Sequence, residues 1–186
     1  MPIAAASRAA TSAGADDFVR GLGSDAIHML SDKSLDASQR EDEFRRLLHK
    51  GFDVDEISRF VLGRFWRQAT DEQKSEYRKL FEDYLVKAYS ARLGDYSGET
   101  FLVKNFNPTE DDDVVVHSQI DRPGAEPIRV DWRCRKSDSD YKIIDVVVDG
   151  VSMAITQRQE FTSVIQNGGG KIDVLIDQLR KKTAEK

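Results

Sequence analysis

The chain has 186 residues, of which 39% are hydrophobic, 33% are charged and 9% are aromatic, and its formal net charge is -5. This length and composition predict one folded domain with a buried core and exclude an intrinsically disordered chain. The acidic balance argues against a general nucleic-acid binder and against general attraction to an anionic membrane. No apolar run reaches the roughly 20 residues that a membrane-spanning helix needs.

The single cysteine, Cys134, excludes an internal disulfide and a zinc site built from several cysteines. Residues 1–15 are small and polar and predict a flexible leader. They lack the basic and apolar regions of a secretory signal. A chain trimmed after signal removal and a cytosolic chain with a loose start both fit this pattern.

Apolar residues recur at helical spacing through the first half of the chain and predict four helices. Capping patterns place the starts of the later three after Asp36, Asp53 and Thr70. Gly51 is the expected stop of the second helix, and the apolar stripe of the third continues to Trp66. The first and fourth helices are expected to span about 16–31 and 71–93.

The period changes to alternation after Gly98 and predicts strands near 99–106, 113–121, 127–136 and 140–149. In the third strand, apolar Val130, Trp132 and Cys134 alternate with charged residues, as in a sheet that is covered on one side. The fourth strand is expected to place Ile144 and Val146 on one face. Each connection has turn chemistry that joins antiparallel neighbours.

Helical spacing returns after Gly150, with a helix from Met153 to Ile165, a break at 168–170 and a final amphipathic helix. This order predicts an α+β fold in which helices pack on one face of a curved four-stranded antiparallel sheet. One domain is expected at 16–182. Its helical part, sheet and C-terminal helices are expected at about 16–95, 99–149 and 151–182.

Candidate catalytic residues are sparse. The pattern Gly21-x-Gly23-x-x-Ala26 matches a dinucleotide motif but falls inside a predicted helix, where that motif does not function. The three histidines are isolated from one another, and the acidic run 111–113 is expected to be a solvated hairpin tip. Cys134 is expected to be buried and inert. No metal site and no enzymatic activity are therefore expected.

Several segments together resemble the toluene-tolerance family, the MlaC-type periplasmic phospholipid-binding proteins. They are LGRFWRQATDEQ at 62–73, YSGE at 96–99, IIDVVVDGVS at 143–152 and RQEF at 158–161. The resemblance covers roughly 16–182. It implies an NTF2-like fold with a lipid cavity between sheet and helices, no catalysis, and no cofactor other than phospholipid carried as cargo.

The resemblance also implies a role and partners. The family member would carry phospholipid through the periplasm between an outer-membrane lipoprotein complex and the MCE-domain subunit of an inner-membrane ABC transporter. That traffic would maintain the lipid asymmetry of the outer membrane. A monomer is expected, and a periplasmic location assumes that a signal peptide has been removed.

Acyl chains would contact apolar residues of both layers. The expected sheet contacts are Val103, Val116, Val130, Trp132, Val146 and Val148. The expected helical contacts are Phe60, Phe65, Phe81, Leu85, Tyr89, Met153 and Ile155. The sequence leaves open which of these residues line a cavity and which fill a solid core.

Three alternatives remain open at this stage. The cargo could be a hopanoid or another lipid. A small NTF2-like enzyme would place His117 or Asp145 deep in the same pocket. A plain interaction module would have a solid core, and a cavity of several hundred Å³ would exclude it.

Overall fold

The computed structural model describes residues 14–138 and 140–184. Within them the α-helices are α1 Ala15–Ser31, α2 Ala37–Gly51, α3 Val54–Leu62, α4 Asp71–Ser90, α5 Met153–Asn167 and α6 Ile172–Ala184. The strands are β1 Thr100–Pro108, β2 Val114–Arg122, β3 Ala125–Ser137, β4 Asp140–Val148 and β5 Val151–Ser152. Short 3₁₀ helices cover Gly63–Arg67 and Arg92–Asp95. Across these ranges no helix has both the length and the hydrophobicity to cross a bilayer.

The predicted helix starts are confirmed by their caps. Asp36 and Thr70 each form a reciprocal capping box, in which the side chain accepts from a backbone N–H three residues later and a glutamine returns the bond. The Asp53 carboxylate accepts from the N–H of Glu56 at 2.9 Å. These bonds satisfy backbone donors that a helix start otherwise leaves unpaired.

Two glycines make close contacts that involve α1. The prediction that the second helix stops at Gly51 is confirmed. Gly51 is the last residue of α2, and a Cβ there would overlap the Leu22 side chain of α1. Gly23 lies in the middle of α1, and a Cβ there would overlap the ring of Phe101 on β1. The apparent dinucleotide motif is therefore a packing feature, because a small residue is needed where a side chain meets bare backbone.

The sheet is an antiparallel meander in the order β1-β2-β3-β4-β5. The prediction of four strands is wrong by one. The chain reverses at Asp149 and Gly150, whose φ angles of 47° and 86° suit a tight two-residue hairpin turn, and β5 then pairs with β4. A two-residue strand is too short to show alternation, which is why sequence periodicity misses it.

A bulge in β4 changes which residues reach the core. Cys134 pairs with Ile143 whereas Arg133 pairs with Asp145, so one extra residue stands in β4 between these pairs. Ile143 is fully buried in the core that Val146 also joins. The prediction that Ile144 shares a face with Val146 is therefore wrong. Because side chains alternate between the two faces of a strand, one extra residue reverses the face on which each residue before the bulge lies.

The buried residues form two clusters. One lies among α3 to α6 and is rich in rings, including Tyr77, Phe81 and Phe161. The other lies where α1 and α2 cover the sheet, around Val116 and Cys134. The helices therefore form a sub-lobe with its own core and a separate layer over the sheet.

The expected leader overlaps the start of this second cluster. Ala15 begins α1 and is fully buried, so the expectation that it belongs to a flexible leader is wrong. Residues 1–13, which carry the rest of that expectation, lie outside the described residues. Ser139, in the predicted turn between the third and fourth strands, also lies outside them.

Candidate functional site

An apolar cavity of about 160 Å³ lies between the α1–α2 layer and the sheet. Every residue that lines it is apolar or glycine: Val19, Leu22, Gly23, Ala26, Met29, Leu30, Phe44, Leu47, Leu48, Phe52 and Trp132. The one polar group on these side chains, Nε1 of Trp132, donates to Ser118 Oγ at 2.9 Å. A cavity lined in this way stays dry and accepts apolar ligands.

The sequence builds this cavity from one stripe of α1 and one surface of α2. Val19, Leu22, Ala26 and Met29 follow helical spacing on α1 and face the sheet. The small side chain of Ala26 leaves space in this stripe that a larger one would fill, whereas the space beside Gly23 is taken by the ring of Phe101. The floor is rigid, because Trp132 is held by Ser118 and by an edge-on contact with Phe101.

The volume of the cavity limits what it holds in this conformation. Its 160 Å³ is close to that of an engineered apolar cavity of about 150 Å³ that binds benzene, and sites for drug-sized ligands measure about 300–1,000 Å³. The cavity is thus smaller than the several hundred Å³ that would exclude a plain interaction module with a solid core. It accommodates a short length of hydrocarbon, and a whole acyl chain requires the α1–α2 layer to move away from the sheet.

A larger cleft of about 560 Å³ opens beside α2, α3 and α4, and its walls are mainly charged. Arg45 forms ion pairs with Glu82 and with Asp83, the latter at 2.9 Å. The Nε2 atom of His49 also lies 3.1 Å from Glu82 Oε1. Phe52 and Val54 are the apolar residues among a lining that is otherwise charged or polar, so the cleft is a poorer site for a lipid chain than the apolar cavity.

The expected lipid contacts separate into distinct locations. Trp132 lines the cavity. Three sheet residues pack in the core around it: Val103, Val116 and Val146. Val130 is buried elsewhere on the same face of the sheet. Residues that fill or pack against the sub-lobe core, away from the cavity, are Phe65, Phe81 and Leu85.

The remaining expected contacts lie nearer the surface. Val148 and Met153 are half-buried. Phe60, Tyr89 and Ile155 are 40%, 36% and 50% exposed. Contact of any of these residues with a lipid stays a prediction.

Sequence reasoning missed the α1 and α2 residues of the cavity. Their helical periodicity was visible in Leu22, Ala26, Leu47 and Leu48. Periodicity identifies the buried face of a helix but not the layer that the face meets. The signal that could have found them is the small residue Ala26 within an otherwise bulky stripe.

His117 and Asp145 do not lie in the cavity, which contradicts the placement that the enzyme hypothesis requires. His117 is on the outer face of the sheet, with Nδ1 2.8 Å from Asp131 Oδ1 and Nε2 3.0 Å from Asn107 Nδ2. Asp145 accepts hydrogen bonds from Ser152 Oγ at 2.6 Å and from the N–H of Ala154 at 3.0 Å. Asp145 therefore holds the start of α5.

The acidic run also differs from expectation. Asp113 is 1% exposed and forms ion pairs with Arg133 and Arg135, so the prediction of a solvated tip is wrong for this residue. Cys134 is buried, as predicted, and burial, reinforced by the charge of Asp113, raises the pKa of its thiol to about 12. Among the described residues no group of His, Cys, Asp and Glu is arranged to hold a metal ion.

Comparison with known proteins identifies the family. The model of the family described as MlaC protein matches residues 22–181. This chain belongs to the MlaC family. The match includes most of α1, all of the sheet and most of α6, so it covers both sides of the cavity.

Individual MlaC relatives agree with this assignment. The chain is 24% identical over 140 residues to toluene tolerance protein ttg2D of Pseudomonas putida, covering 73% of this chain and 64% of that protein. It is 23% identical over 129 residues to the intermembrane phospholipid transport system binding protein MlaC of Haemophilus influenzae, covering 67% and 59%. The matches therefore span about three fifths of these relatives' lengths.

A solved structure is also similar. It is the phospholipid-binding protein of Ralstonia solanacearum in complex with a phospholipid, with a TM-score of 0.81 and 26% sequence identity. The match covers 91% of this chain and 96% of that chain. The α+β arrangement of this MlaC-family chain is thus shared with a protein that holds a lipid.

The LGRFWR segment of this MlaC-family chain has a specific packing role. Gly63 ends α3 with φ of 59°, so the prediction of one helix continuing to Trp66 is wrong and a 3₁₀ turn follows instead. A Cβ at Gly63 would lie 2.9 Å from Nε of Arg158 on α5. The guanidinium of Arg158 also lies 5.0 Å from the centre of the Phe60 ring. Glycine is required here for both backbone conformation and close approach.

Proposed function

We propose that this chain is a lipid carrier, which holds phospholipid acyl chains between the α1–α2 layer and the sheet. The observation that carries the proposal is the cavity of about 160 Å³ lined only by apolar side chains and glycine. The similarity to a phospholipid complex, at a TM-score of 0.81, supports the same assignment. We also propose that the fold of this chain is NTF2-like.

The energetics of lipid transfer explain why such a carrier needs no catalytic group. Each CH₂ group removed from water contributes about 0.8 kcal/mol, so two acyl chains contribute on the order of 20 kcal/mol. A lipid therefore does not leave a membrane at a useful rate unless a dry site receives its chains. Binding of this kind makes and breaks no covalent bond, and the phospholipid is cargo rather than cofactor.

The two separate cores support a mode of loading. Movement of α1 and α2 away from the sheet would enlarge the cavity while the sub-lobe core around Phe81 stays intact. The inward side chains of Val116, Val130 and Val146 lie on the sheet face that this layer covers. Their exposure to the enlarged cavity would give acyl chains the sheet contacts predicted above.

The proposed role is transport through the periplasm between the outer and inner membranes, which serves outer-membrane lipid asymmetry. The proposed partners are an outer-membrane lipoprotein complex and the MCE-domain subunit of an inner-membrane ABC transporter, and the carrier is proposed to act as a monomer. The name of the Haemophilus influenzae relative, a binding protein of an intermembrane phospholipid transport system, supports this role.

Lipid extraction and native mass spectrometry of the purified protein test the proposal, together with uptake of phospholipid from vesicles. We expect co-purified phospholipid, and we expect Ala26→Leu to reduce uptake because it fills part of the cavity. Ala91→Leu, at an exposed position after α4, is the matched control and should leave uptake unchanged. Absence of both bound lipid and uptake contradicts the proposal, whereas recovery of a hopanoid would change the cargo and keep the carrier.

A further inference from the structure

We infer that an arginine-rich edge formed by α3 and α5 binds the surface of an anionic lipid bilayer. This edge, called the α3–α5 edge here, comprises Arg59, Phe60, Arg64, Ile155 and Arg158. It is separate from the cavity, since none of these residues lines it. The inference therefore concerns where the protein touches a membrane and does not depend on what the cavity holds.

The residues of the edge are brought together by the contact of α3 with α5. The guanidinium of Arg158 stacks on the ring of Phe60 and lies against the backbone at Gly63, directly before Arg64. Arg59 precedes Phe60 on the exposed side of α3. Ile155 lies one turn before Arg158 on the same side of α5.

The three guanidinium groups of the edge have no carboxylate partner within the described part of the chain. The acids on α3 are engaged elsewhere, because Asp55 pairs with Arg78 at 3.5 Å and Glu56 pairs with Arg135 at 3.4 Å. The guanidinium of Arg64 lies 5.0 Å from the centre of the Phe65 ring. The one acid of α5, Glu160, accepts a hydrogen bond from Gln157 at 3.1 Å, so three arginines of the edge face a single acid on α5, a local surplus of positive charge on a chain of net charge -5.

Apolar side chains stand among these cations. Phe60 is 40% exposed and Ile155 is 50% exposed. Apolar groups that enter the interface, surrounded by arginines that meet anionic headgroups, form the pattern of a peripheral membrane contact. None of these residues lines the apolar cavity or the charged cleft, and binding to a bilayer surface requires no concave site.

The negative net charge does not prevent this contact, but it determines its character. At physiological ionic strength charges are screened over about 8 Å, so a bound protein senses mainly the arginines that face the membrane. Farther from the surface, or at low salt, the remaining acidic surface opposes approach in other orientations. We therefore infer binding that is oriented, reversible and weakened by added salt.

Co-sedimentation with vesicles tests the inference, using phosphatidylcholine alone and phosphatidylcholine mixed with phosphatidylglycerol. We expect binding to the mixed vesicles only, with the affinity falling about fivefold for each arginine removed in Arg64→Gln and in the double variant with Arg158→Gln. Arg46→Gln on α2, at a side chain that is 71% exposed, is the charge-matched control and should bind as the unaltered protein does. Phe60→Ser should also weaken binding, and thermal unfolding verifies that each variant is folded.

Three outcomes would overturn the inference. The first is equal binding to neutral and anionic vesicles, and the second is unchanged binding of folded Arg64→Gln and Phe60→Ser. The third is binding to an acidic polypeptide such as polyglutamate without binding to vesicles, which would indicate a protein partner. Lipid extraction from the same variants keeps the two proposals separate: retained cargo with lost vesicle binding supports both, and missing cargo contradicts the carrier proposal alone.

Discussion

The Nε atom of Arg135 on β3 donates to Oδ1 of Asp113 at 2.8 Å, so a carboxylate that is 1% exposed is bound by an arginine of β3. Arg133 Nε donates to the other oxygen, Oδ2, at 2.9 Å. Arg135 also reaches Glu56 of α3 at 3.4 Å. The network therefore connects β2, β3 and the helical sub-lobe through one buried acid.

We expect Asp113→Asn to lower the free energy of unfolding by about 2 kcal/mol, because hydrogen bonds to charged groups contribute about 1.5–3 kcal/mol. The amide also removes the buried counter-charge of two arginines, which then keep only their more exposed partners, Asp111 and Glu56. Chemical denaturation measures the change. Asp111→Asn is the control: Asp111 is 75% exposed and pairs with Arg133 at 3.2 Å, so we expect a change below about 0.5 kcal/mol. Equal effects of the two substitutions would contradict this assignment.

Gly63→Ala should destabilise the protein by about 2 kcal/mol, since a non-glycine residue at this backbone conformation is strained and its Cβ would press on Arg158. Gly124→Ala is a matched control, because Gly124 also has positive φ, at 72°, but a Cβ there meets no atom within 4 Å. The difference between their thermal unfolding midpoints measures what Gly63 requires beyond a positive φ, namely its ψ of -129° and the close approach of Arg158. A Gly124→Ala variant that loses as much stability would show that backbone strain alone accounts for the effect.

The thiol of Cys134 should resist alkylation in the folded protein. Burial raises its pKa from 9.0 to about 12, which lowers the thiolate fraction about a thousandfold at any pH below both values. We expect iodoacetamide at pH 8 to modify the protein only after denaturant is added, as measured by intact mass. Rapid modification of the native protein would show that this residue is accessible.

The same shift predicts loss of stability at alkaline pH. Because the folded thiol holds its proton more tightly than the unfolded thiol, its contribution to stability is complete below about pH 9 and is lost between about pH 9 and pH 12. The slope from this group is about 1.4 kcal/mol per pH unit within that range. Cys134→Ala should show a correspondingly shallower decline of the unfolding free energy. Identical slopes would place the alkaline sensitivity in other groups, such as the buried Tyr77, whose pKa burial also raises.

Much of the architecture could be predicted because its signals are local. The capping boxes at Asp36 and Thr70 and the alternation along β3 depend on neighbouring residues alone. By contrast, β5 and the bulge near Ile144 depend on how β4 pairs with strands on either side. Such pairing is a property of the sheet and has no signature in a short window of sequence.

The cavity was harder to predict than the fold around it. Of the residues expected to contact lipid, Trp132 lines the cavity, whereas Phe65 and Phe81 complete a solid core. Both kinds of position select large apolar side chains, so composition cannot separate them. The small residue Ala26 also lines the cavity, and the space that it leaves can be recognised only once the layers are assembled.

The glycine contacts of α1 limit how this helix can travel. The Leu22 side chain packs on the backbone of Gly51, and the ring of Phe101 packs on the backbone of the adjacent Gly23. Two close contacts therefore lie within a single turn of α1. Movement of the α1–α2 layer away from the sheet would keep the contact of Leu22 with Gly51, which lies within the layer. It would break the contact of Gly23 with Phe101, which joins the layer to β1, so this contact opposes opening of the cavity.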